Sequence, residues 1–286
     1  MVVTPLNPEE ILRAVRAALV EDVGGGDVTT LATVPADSRC RAVMRAREPL
    51  VVAGIAFAET TFRELSPKIE IKISISDANR AGPGDVLLTV AGSTRAILSA
   101  ERVALNFVQR LSGVATAAAS YVEAIRGTKA QILDTRKTTP GWRAFEKYAA
   151  TCGGARNHRI GLFDMVLIKD NHLAALRDAQ PNAVAAAVKR ARERYPALKV
   201  EAEADTLEQV AQAADAGADF ILLDNMKPVQ LREAVAIVAG RSRTEASGGV
   251  NLQTVRAIAE SGVDFISVGA ITHSARAVDV GLDFET

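Results

Sequence analysis

The sequence is poor in cysteine, has no long apolar run and carries no excess of either charge. Two of its 286 residues are cysteines, and no Cys/His pattern has zinc-site spacing, which argues against structural zinc. Lys plus Arg and Asp plus Glu both number 34, so no overall basic field attracts nucleic acid. No apolar run approaches membrane-spanning length, and Pro5, Pro8 and Glu9 stand where a secretion signal needs an apolar core. We therefore expect a cytoplasmic protein without nucleic-acid or membrane partners.

The second half of the chain repeats one pattern six times: a short apolar run leads directly into polar residues. The runs begin at residues 132, 166, 200, 220, 244 and 265. Such runs are typical of parallel strands buried on both faces, and their spacing suits βα units. A complete α/β barrel has eight strands, so the pattern predicts an incomplete, open α/β barrel. The loops after its strands are expected to form one pocket.

The first part of the chain is organised differently and predicts a small α/β domain. Asn7 and Pro8 indicate a helix start, residues 55–65 a short helix, and alternating isoleucines from Ile69 a strand with one solvated face. Proline is missing from residues 94–126, and we expect two helices there, hinged near Ser112 and Gly113. The predicted division is an N-terminal domain over residues 1–112, with which a tail over about 272–286 can pack, and a barrel domain over 113–271.

Two segments concentrate cations where an anion could bind. Thr135, Arg136 and Lys137 directly follow an apolar run, and arginine offers a planar fork while lysine offers a movable point charge. His158 and Arg159 follow in a glycine-opened polar segment. Because a neighbouring cation lowers a histidine pKa, we expect His158 to be neutral and to bind substrate rather than act as a base. A solvated loop is the alternative interpretation of the first segment.

Three strand ends carry a lysine and carboxylates. Lys169 can pair with an anion, form a Schiff base or simply pair with Asp170. Glu201 and Glu203 alternate on one strand and so point to the same face, and Asp224 ends the next strand. Such carboxylates can hold Mg²⁺ together with the phosphate oxygens of a ligand. A buried ion pair with Lys169 or Arg136 is the other interpretation, and the residues alone leave both open.

Glycine-containing turns follow the last two apolar runs; their residues are Ser247, Gly248, Gly249, Val268, Gly269 and Ala270. In many α/β barrels the final loops bind phosphate through backbone N–H groups, which glycine lets approach the ligand closely. Simple helix-start turns would look alike, and neither turn matches the Walker A or dinucleotide-binding fingerprint. Elsewhere, Glu101 and Arg102 lie in the long helical stretch, where a surface ion pair is the favoured interpretation from sequence alone.

Taken in order, these segments resemble the quinolinate phosphoribosyltransferase family. The resemblance is carried by Glu21–Thr30, Glu101–Arg102, Thr135–Thr138, Asn157–Arg159, Leu167–His172, Glu201–Glu203, Leu222–Asn225 and Ser247–Gly249. It implies transfer of phosphoribosyl from 5-phosphoribosyl 1-diphosphate to quinolinate, with loss of CO₂ and diphosphate, to give nicotinate mononucleotide in de novo NAD biosynthesis. It also implies Mg²⁺, an N-terminal α/β sandwich domain, an open barrel of the type II phosphoribosyltransferase kind, and at least a homodimer whose subunits share active sites.

The resemblance also implies roles for individual residues. Those around the two quinolinate carboxylates would be Arg136, His158, Arg159, Lys169 and the partner subunit's Arg102, with Thr135 also binding substrate. Lys137 would lie near the sugar donor, Glu203 and Asp224 would serve its ribose and Mg²⁺-diphosphate, and the six residues of the glycine-containing turns would hold its 5-phosphate. Catalytic function is expected of Lys137, Lys169, Glu203 and Asp224. One departure from the family pattern is Ala155–Arg156, where many members have another glycine.

Three other functions compete with this one. A sister phosphoribosyltransferase acting on another anionic ring, including relatives associated with molybdenum uptake, would be separated by comparing nicotinate with quinolinate as substrate. A Schiff-base aldolase would be labelled at Lys169 by borohydride in the presence of a carbonyl substrate. A phosphate-binding barrel without activity would bind ligands without turnover, and would leave the paired carboxylates unexplained.

Overall fold

The computed structural model describes residues 4–285, and its chain divides into two compact units. The first contains the described residues up to Ala119, Ala144–Gly154 and those from Ala275 onward; the second contains Ser120–Arg143 and Ala155–Ser274. Contact-based units need not be the units that fold independently, so the predicted domain boundaries at residues 112 and 271 stay a prediction. No helix among the described residues combines the length and the apolar character needed to cross a bilayer.

The first unit is built on an antiparallel sheet. Its elements begin with α1 (Pro8–Val23), α2 (Val28–Thr33), β1 (Arg39–Ala46), β2 (Leu50–Val51), α3 (Ile55–Leu65), β3 (Glu70–Ile73), β4 (Arg80–Ala81), β5 (Val86–Ser93) and α4 (Thr94–Ala124). The four-stranded sheet has the order β12-β1-β5-β3, where β12 (Val280–Glu285) comes from the C-terminal tail and pairs antiparallel with β1.

Local sequence signals explain where the first helices begin, and apolar burial explains where they pack. The side chain of Asn7 accepts a hydrogen bond from the Glu9 N–H at 2.9 Å, and Pro8 occupies the first turn of α1. The side chain of Phe62 on α3 is fully buried in the core formed with the strands of the sheet. Burial of one such side chain contributes about 1.5–3 kcal/mol, so packing rather than helix propensity stabilises these helices.

The predicted hinge near residues 112 and 113 is wrong, because α4 is one helix of 31 residues. Ser112 instead hydrogen-bonds to the backbone of Ala53, accepting from its N–H at 2.9 Å and donating to its carbonyl at 3.1 Å. A Cβ on Gly113 would lie 2.0 Å from the Arg276 carbonyl oxygen. The glycine therefore permits a close backbone approach and does not break the helix.

The second unit contains the six predicted strands. They are β6 (Gln131–Leu133), β7 (Val166–Ile168), β8 (Val200–Ala204), β9 (Phe220–Asp224), β10 (Arg243–Ser247) and β11 (Phe265–Ser267). All their pairings are parallel, in the order β6-β11-β10-β9-β8-β7. Because β6 and β7 end the strand order without pairing to each other, the barrel is open. The predicted fold class, a separate α/β sandwich followed by an incomplete barrel, is confirmed.

Helices alternate with these strands as a parallel sheet requires. They are α5 (Arg143–Cys152), α6 (Asp170–Ala174), α7 (Ala183–Arg194), α8 (Leu207–Asp215), α9 (Pro228–Val238), α10 (Val255–Ala259) and α11 (Ala270–His273). Of these, α5 belongs to the first unit except for its first residue. Thr206 begins α8 with a capping box, in which its side chain accepts from the Gln209 N–H. The ends of the strands that directly precede α6, α8, α9, α10 and α11 thus all lie at one edge of the sheet.

Candidate active site

A cavity of about 600 Å³ opens at the carboxyl ends of the parallel strands, where α/β barrels hold their active sites. Most of the predicted site residues line it: Thr135, Arg136, Lys137, His158, Arg159, Lys169, Glu203, Asp224, Ser247, Gly248 and Gly249. Parallel strands bring their carboxyl ends to the same edge, so residues more than a hundred positions apart in sequence meet here. The functions assigned to them individually stay predictions.

One side of the cavity carries two arginines, Arg136 and Arg159. Arg136 Nε is buried and, within residues 4–285, has no hydrogen-bond partner. Burial and the charge of Arg136 lower the pKa of the Arg159 guanidinium, although Glu201 opposes this. A buried cationic donor without a partner is costly unless an anion completes it. This side of the cavity therefore suits a carboxylate that accepts two hydrogen bonds from a guanidinium.

Beneath the arginines, His158 lies against two buried carboxylates. Its Nε2 is 3.0 Å from Oε2 of Glu201 and 3.4 Å from Oε2 of Glu245. Burial lowers the pKa of His158, but its contacts with these carboxylates outweigh burial and raise the pKa to about 10. Burial and the Glu245 charge in turn raise the pKa of Glu201. The prediction of a neutral His158 rested on Arg159, which is adjacent in sequence. In the structure, the carboxylates of Glu201 on β8 and Glu245 on β10 have the larger effect on the His158 pKa.

One contact favours the neutral ring. The Arg159 backbone N–H lies 2.8 Å from Nδ1 of His158, as in a hydrogen bond accepted by an unprotonated nitrogen. The contacts of Nε2 with the Glu201 and Glu245 carboxylates oppose this, because ionic hydrogen bonds strengthen in a buried site. The carboxylate contacts therefore favour the protonated form of His158. Its backbone is fixed independently, since its N–H donates to the buried Asp134 carboxylate at 2.8 Å.

Another part of the cavity is acidic. Glu203, Asp205 and Asp224 each place a carboxylate oxygen within 4.8 Å of the others. Burial and the charges of Glu203 and Asp205 raise the pKa of Asp224, although nearby lysines oppose this. Lys169 Nζ donates to Oε2 of Glu203 at 3.1 Å. The ion pair that the sequence allowed is therefore formed with Glu203 instead of Asp170, and the carboxylate cluster is present beside it.

Glycines at the end of β10 shape a third part of the cavity. Gly248 and Gly249 have φ values of +92° and +60°, which non-glycine side chains rarely adopt. Lys137 also lies close to a glycine: a Cβ on Gly269 would be 3.1 Å from its Cδ. The Lys137 carbonyl accepts a hydrogen bond from Thr272 Oγ1 at 2.7 Å, which fixes the cationic segment to α11.

Four of the predicted residues do not line the cavity. Arg102 is exposed on α4 and belongs to the first unit. Val268, Gly269 and Ala270 follow β11, but the Val268 N–H already donates to the Leu133 carbonyl at 2.9 Å. Conversely, sequence reasoning did not assign Asp205, Asn225 or Glu245 to the site. Alternation along β10 could have identified Glu245, since it lies two residues before Ser247 and faces the same side.

A second cavity, of about 700 Å³, lies at the amino ends of the strands. Its lysines are already paired within the described structure: Lys129 Nζ is 3.1 Å from Asp264, and Lys199 Nζ is 2.8 Å from Asp219. The larger cavity therefore presents few unsatisfied charges. The cavity at the carboxyl ends, with its partnerless arginine nitrogen and its crowded carboxylates, is the better candidate active site.

An open α/β barrel with cations, carboxylates and a glycine loop at one mouth defines a barrel-type phosphoribosyltransferase. Comparison with known families agrees: the N-terminal domain of quinolinate phosphoribosyl transferase matches residues 27–112, and its C-terminal domain matches residues 114–283. The chain belongs to the quinolinate phosphoribosyltransferase family.

Individual relatives are similar along nearly the whole chain. Nicotinate-nucleotide pyrophosphorylase [carboxylating] of Mycobacterium leprae is 43% identical, covering 94% of this chain and 95% of that protein. The chloroplastic protein of that name from Arabidopsis thaliana is 42% identical, covering 99% and 85%. The solved nicotinate-nucleotide pyrophosphorylase of Francisella tularensis is 38% identical and superposes with a TM-score of 0.93, covering 99% of both chains.

Proposed function

We propose that this protein transfers the phosphoribosyl group of 5-phosphoribosyl 1-diphosphate to quinolinate, releasing diphosphate and CO₂ and forming nicotinate mononucleotide. The observation that carries the proposal is that one cavity contains both a cationic site and an acidic site. The buried Arg136 Nε, which has no partner among the described residues, suits a carboxylate of the substrate. A cluster of three carboxylates suits the cation-bound diphosphate of a sugar donor. The named relatives act in the same pyridine-nucleotide chemistry, which supports a function in NAD biosynthesis.

Quinolinate would occupy the cationic side. Arg136 and Arg159 would bind its two adjacent carboxylates, and His158, kept protonated by Glu201 and Glu245, would add a third positive charge. Charge-assisted hydrogen bonds of this kind are about twice as strong as neutral ones. The cations also orient the ring, so that its nitrogen faces the donor bound on the acidic side.

Mg²⁺ would be held on the acidic side, together with the donor. The fit rests on the carboxylate oxygens of Glu203, Asp205 and Asp224, which lie within 4.8 Å of one another. Burial and the charges of Glu203 and Asp205 raise the pKa of Asp224, and a bound cation would relieve this repulsion. Carboxylate oxygens are the ligands that Mg²⁺ prefers, and it commonly bridges to substrate phosphates. When bound, Mg²⁺ would neutralise the diphosphate leaving group. Lys137 would lie near the diphosphate, and the Ser247–Gly249 loop would bind the 5-phosphate through backbone N–H groups.

The reaction requires the protein to position the two substrates and to stabilise the charges that develop. The bond between ribose C1 and the diphosphate oxygen breaks, and the electron pair leaves with diphosphate. Glu203 and Asp224 stabilise the positive charge that develops at C1. The pyridine nitrogen donates its lone pair to C1 and becomes positively charged, so it can accept the electron pair of the adjacent carbon–carboxylate bond. CO₂ departs, and a proton takes its place on the ring.

The test is a product assay. Purified protein is mixed with Mg²⁺, the phosphoribosyl donor and either quinolinate or nicotinate, and products are identified by mass spectrometry. The proposal expects nicotinate mononucleotide from quinolinate and little turnover of nicotinate, which lacks the second carboxylate. Turnover of nicotinate at the same rate, or no product from quinolinate, would contradict it.

We also propose a homodimer in which the partner subunit's Arg102 completes each site. Support comes from the exposure of Arg102 on α4 and from the family resemblance at Glu101–Arg102. Subunit mixing provides the test: Arg102→Ala and Lys169→Ala should each be inactive alone. A refolded equal mixture should regain about a quarter of the wild-type activity, since half of the dimers carry one intact site. No recovery would contradict shared sites.

A cytoplasmic location is proposed as well. Cys40 and Cys152 are both free, which is compatible with a reducing compartment. Fractionation of the host cell tests this proposal, and recovery of the protein in an organelle or outside the cell would overturn it.

A further inference from the structure

Asn225 follows β9 and lines the cavity, yet the proposed reaction leaves it without a function. Its φ is +55°, in the left-handed region, which asparagine tolerates better than most non-glycine residues. Two other non-glycine residues of the described chain, Ala78 and Ala239, also have positive φ, and neither lines this cavity. Left-handed backbone at a site rather than at an ordinary turn points to a functional requirement.

The contacts of Asn225 join the ends of two neighbouring strands. Its backbone N–H donates to the Ser247 carbonyl at 2.9 Å, just beyond the pairing of Ser247 with Asp224 that ends the β9–β10 ladder. Its side-chain Nδ2 donates to Oδ2 of Asp224. One residue thus holds both a carboxylate of the acidic cluster and the first residue of the glycine loop.

The same side chain accounts for the glycine at position 248. A Cβ there would lie 2.1 Å from Oδ1 and 2.9 Å from the backbone nitrogen of Asn225. The Asn225 amide therefore packs directly on the bare Cα of Gly248. This contact fixes the separation between the loop and Asp224, because neither partner can shift without a collision or the loss of a hydrogen bond.

We propose that Asn225 is a positioning residue for the phosphoribosyl donor: it holds the Asp224 carboxylate and the Ser247–Gly249 loop in the one arrangement that fits both ends of that donor. The inference rests on the proposed function and deepens it. Asp224 needs such a partner, since its neighbours Glu203 and Asp205 repel it from within 4.8 Å. The Asn225 amide donates a hydrogen bond to the Asp224 carboxylate, and this bond stabilises the carboxylate against the repulsion of its neighbours.

Two variants separate the backbone from the side chain. Asn225→Gly keeps the left-handed conformation and removes the amide, whereas Asn225→Asp keeps the size and sets an acceptor oxygen against Asp224. We expect the KM of the donor to rise about 10-fold in Asn225→Gly, because the hydrogen bond to the charged Asp224 is lost. In Asn225→Asp the rise should be about 100-fold, because repulsion between two acceptor oxygens replaces that hydrogen bond. The KM of quinolinate should stay within about 2-fold, since the cationic side is untouched.

Ala239→Gly is the matched control. Ala239 has φ +48° at the end of α9, outside the cavity. Replacing it with glycine relieves the same backbone strain as Asn225→Gly does, but it should leave both KM values unchanged. Thermal denaturation of all variants measures folding separately. If Asn225→Asp does not fold, Asn225→Gly, which introduces no charge, decides the question alone.

The outcomes are distinguishable from failure of the proposed function. If the wild type forms nicotinate mononucleotide but both Asn225 variants match it, or lose both substrates equally, the positioning function is wrong and the proposed function stands. If the wild type forms no product from quinolinate, both are wrong. A double-variant cycle adds an independent measurement: Gly248→Ala should damage donor KM less in the Asn225→Gly background than in the wild type, and equal damage would overturn the proposed contact.

Discussion

Replacing Arg136 with alanine should weaken quinolinate binding much more than donor binding. The half-buried Arg136 carries an Nε without a partner in the described structure, so its hydrogen-bonding capacity is kept for a ligand. Two hydrogen bonds from a charged donor are worth about 1.5–3 kcal/mol each. The lower limit is the better guide, because Arg159 and Lys169 remain and keep part of the attraction.

Taken at that limit, the loss is about 3 kcal/mol, which corresponds to an increase in quinolinate KM of about 100-fold. Donor KM should change by less than about 3-fold, since the acidic cluster and the glycine loop keep their contacts. Arg136→Lys retains the charge but loses the planar fork, and an intermediate increase of about 10-fold is expected. Arg190→Ala, which removes an exposed cation from α7, should leave both constants unchanged.

The assay follows nicotinate mononucleotide while each substrate is varied at saturating amounts of the other. Calorimetric titration of quinolinate into each variant provides a binding measurement that does not depend on turnover. An equal rise in both KM values for Arg136→Ala, with folding intact, would refute the assignment of Arg136 to the dicarboxylate.

Three further predictions concern His158 and its two carboxylates, the acidic cluster and the helix α4. The raised pKa of His158 gives stability that is complete below pH 6.5 and is lost as pH rises through about 10; Glu245→Gln should flatten this loss in urea denaturation series. Asp205→Asn should increase the Mg²⁺ concentration for half-maximal activity about 10-fold with little change at saturating Mg²⁺. Gly113→Ala should lower the free energy of unfolding by about 1–3 kcal/mol, whereas Gly25→Ala, with open space around its Cβ, should not. Unchanged profiles or equal stabilities would contradict the respective predictions.

The barrel could be predicted because its strands carry their own signal. Parallel strands buried on both faces need continuous apolar runs, and the polar residue after each run must then lie at the same edge. Lys169, Glu203 and Asp224 could therefore be placed together without knowing which strand lies next to which. The glycines after β10 were identifiable for a similar reason, since their conformation is a property of the local chain.

Features that depend on contacts between distant parts of the chain could not be predicted. Glu245 reaches His158 across the barrel from β10, and sequence adjacency suggested Arg159 instead as the dominant neighbour. Gly113 looked like a hinge, since a glycine beside a serine inside a helix has the same sequence whether the helix breaks or another backbone approaches it. Tertiary contacts decided both cases, and local sequence contains no information about them.

The most direct test of the central claim uses quinolinate labelled with ¹³C in the carboxylate next to the ring nitrogen. If donor and dicarboxylate react at the barrel mouth as proposed, labelled CO₂ appears only when the phosphoribosyl donor and Mg²⁺ are present, in equal amount to nicotinate mononucleotide. Release of labelled CO₂ without the donor, or a nucleotide that still carries the label, would contradict the account.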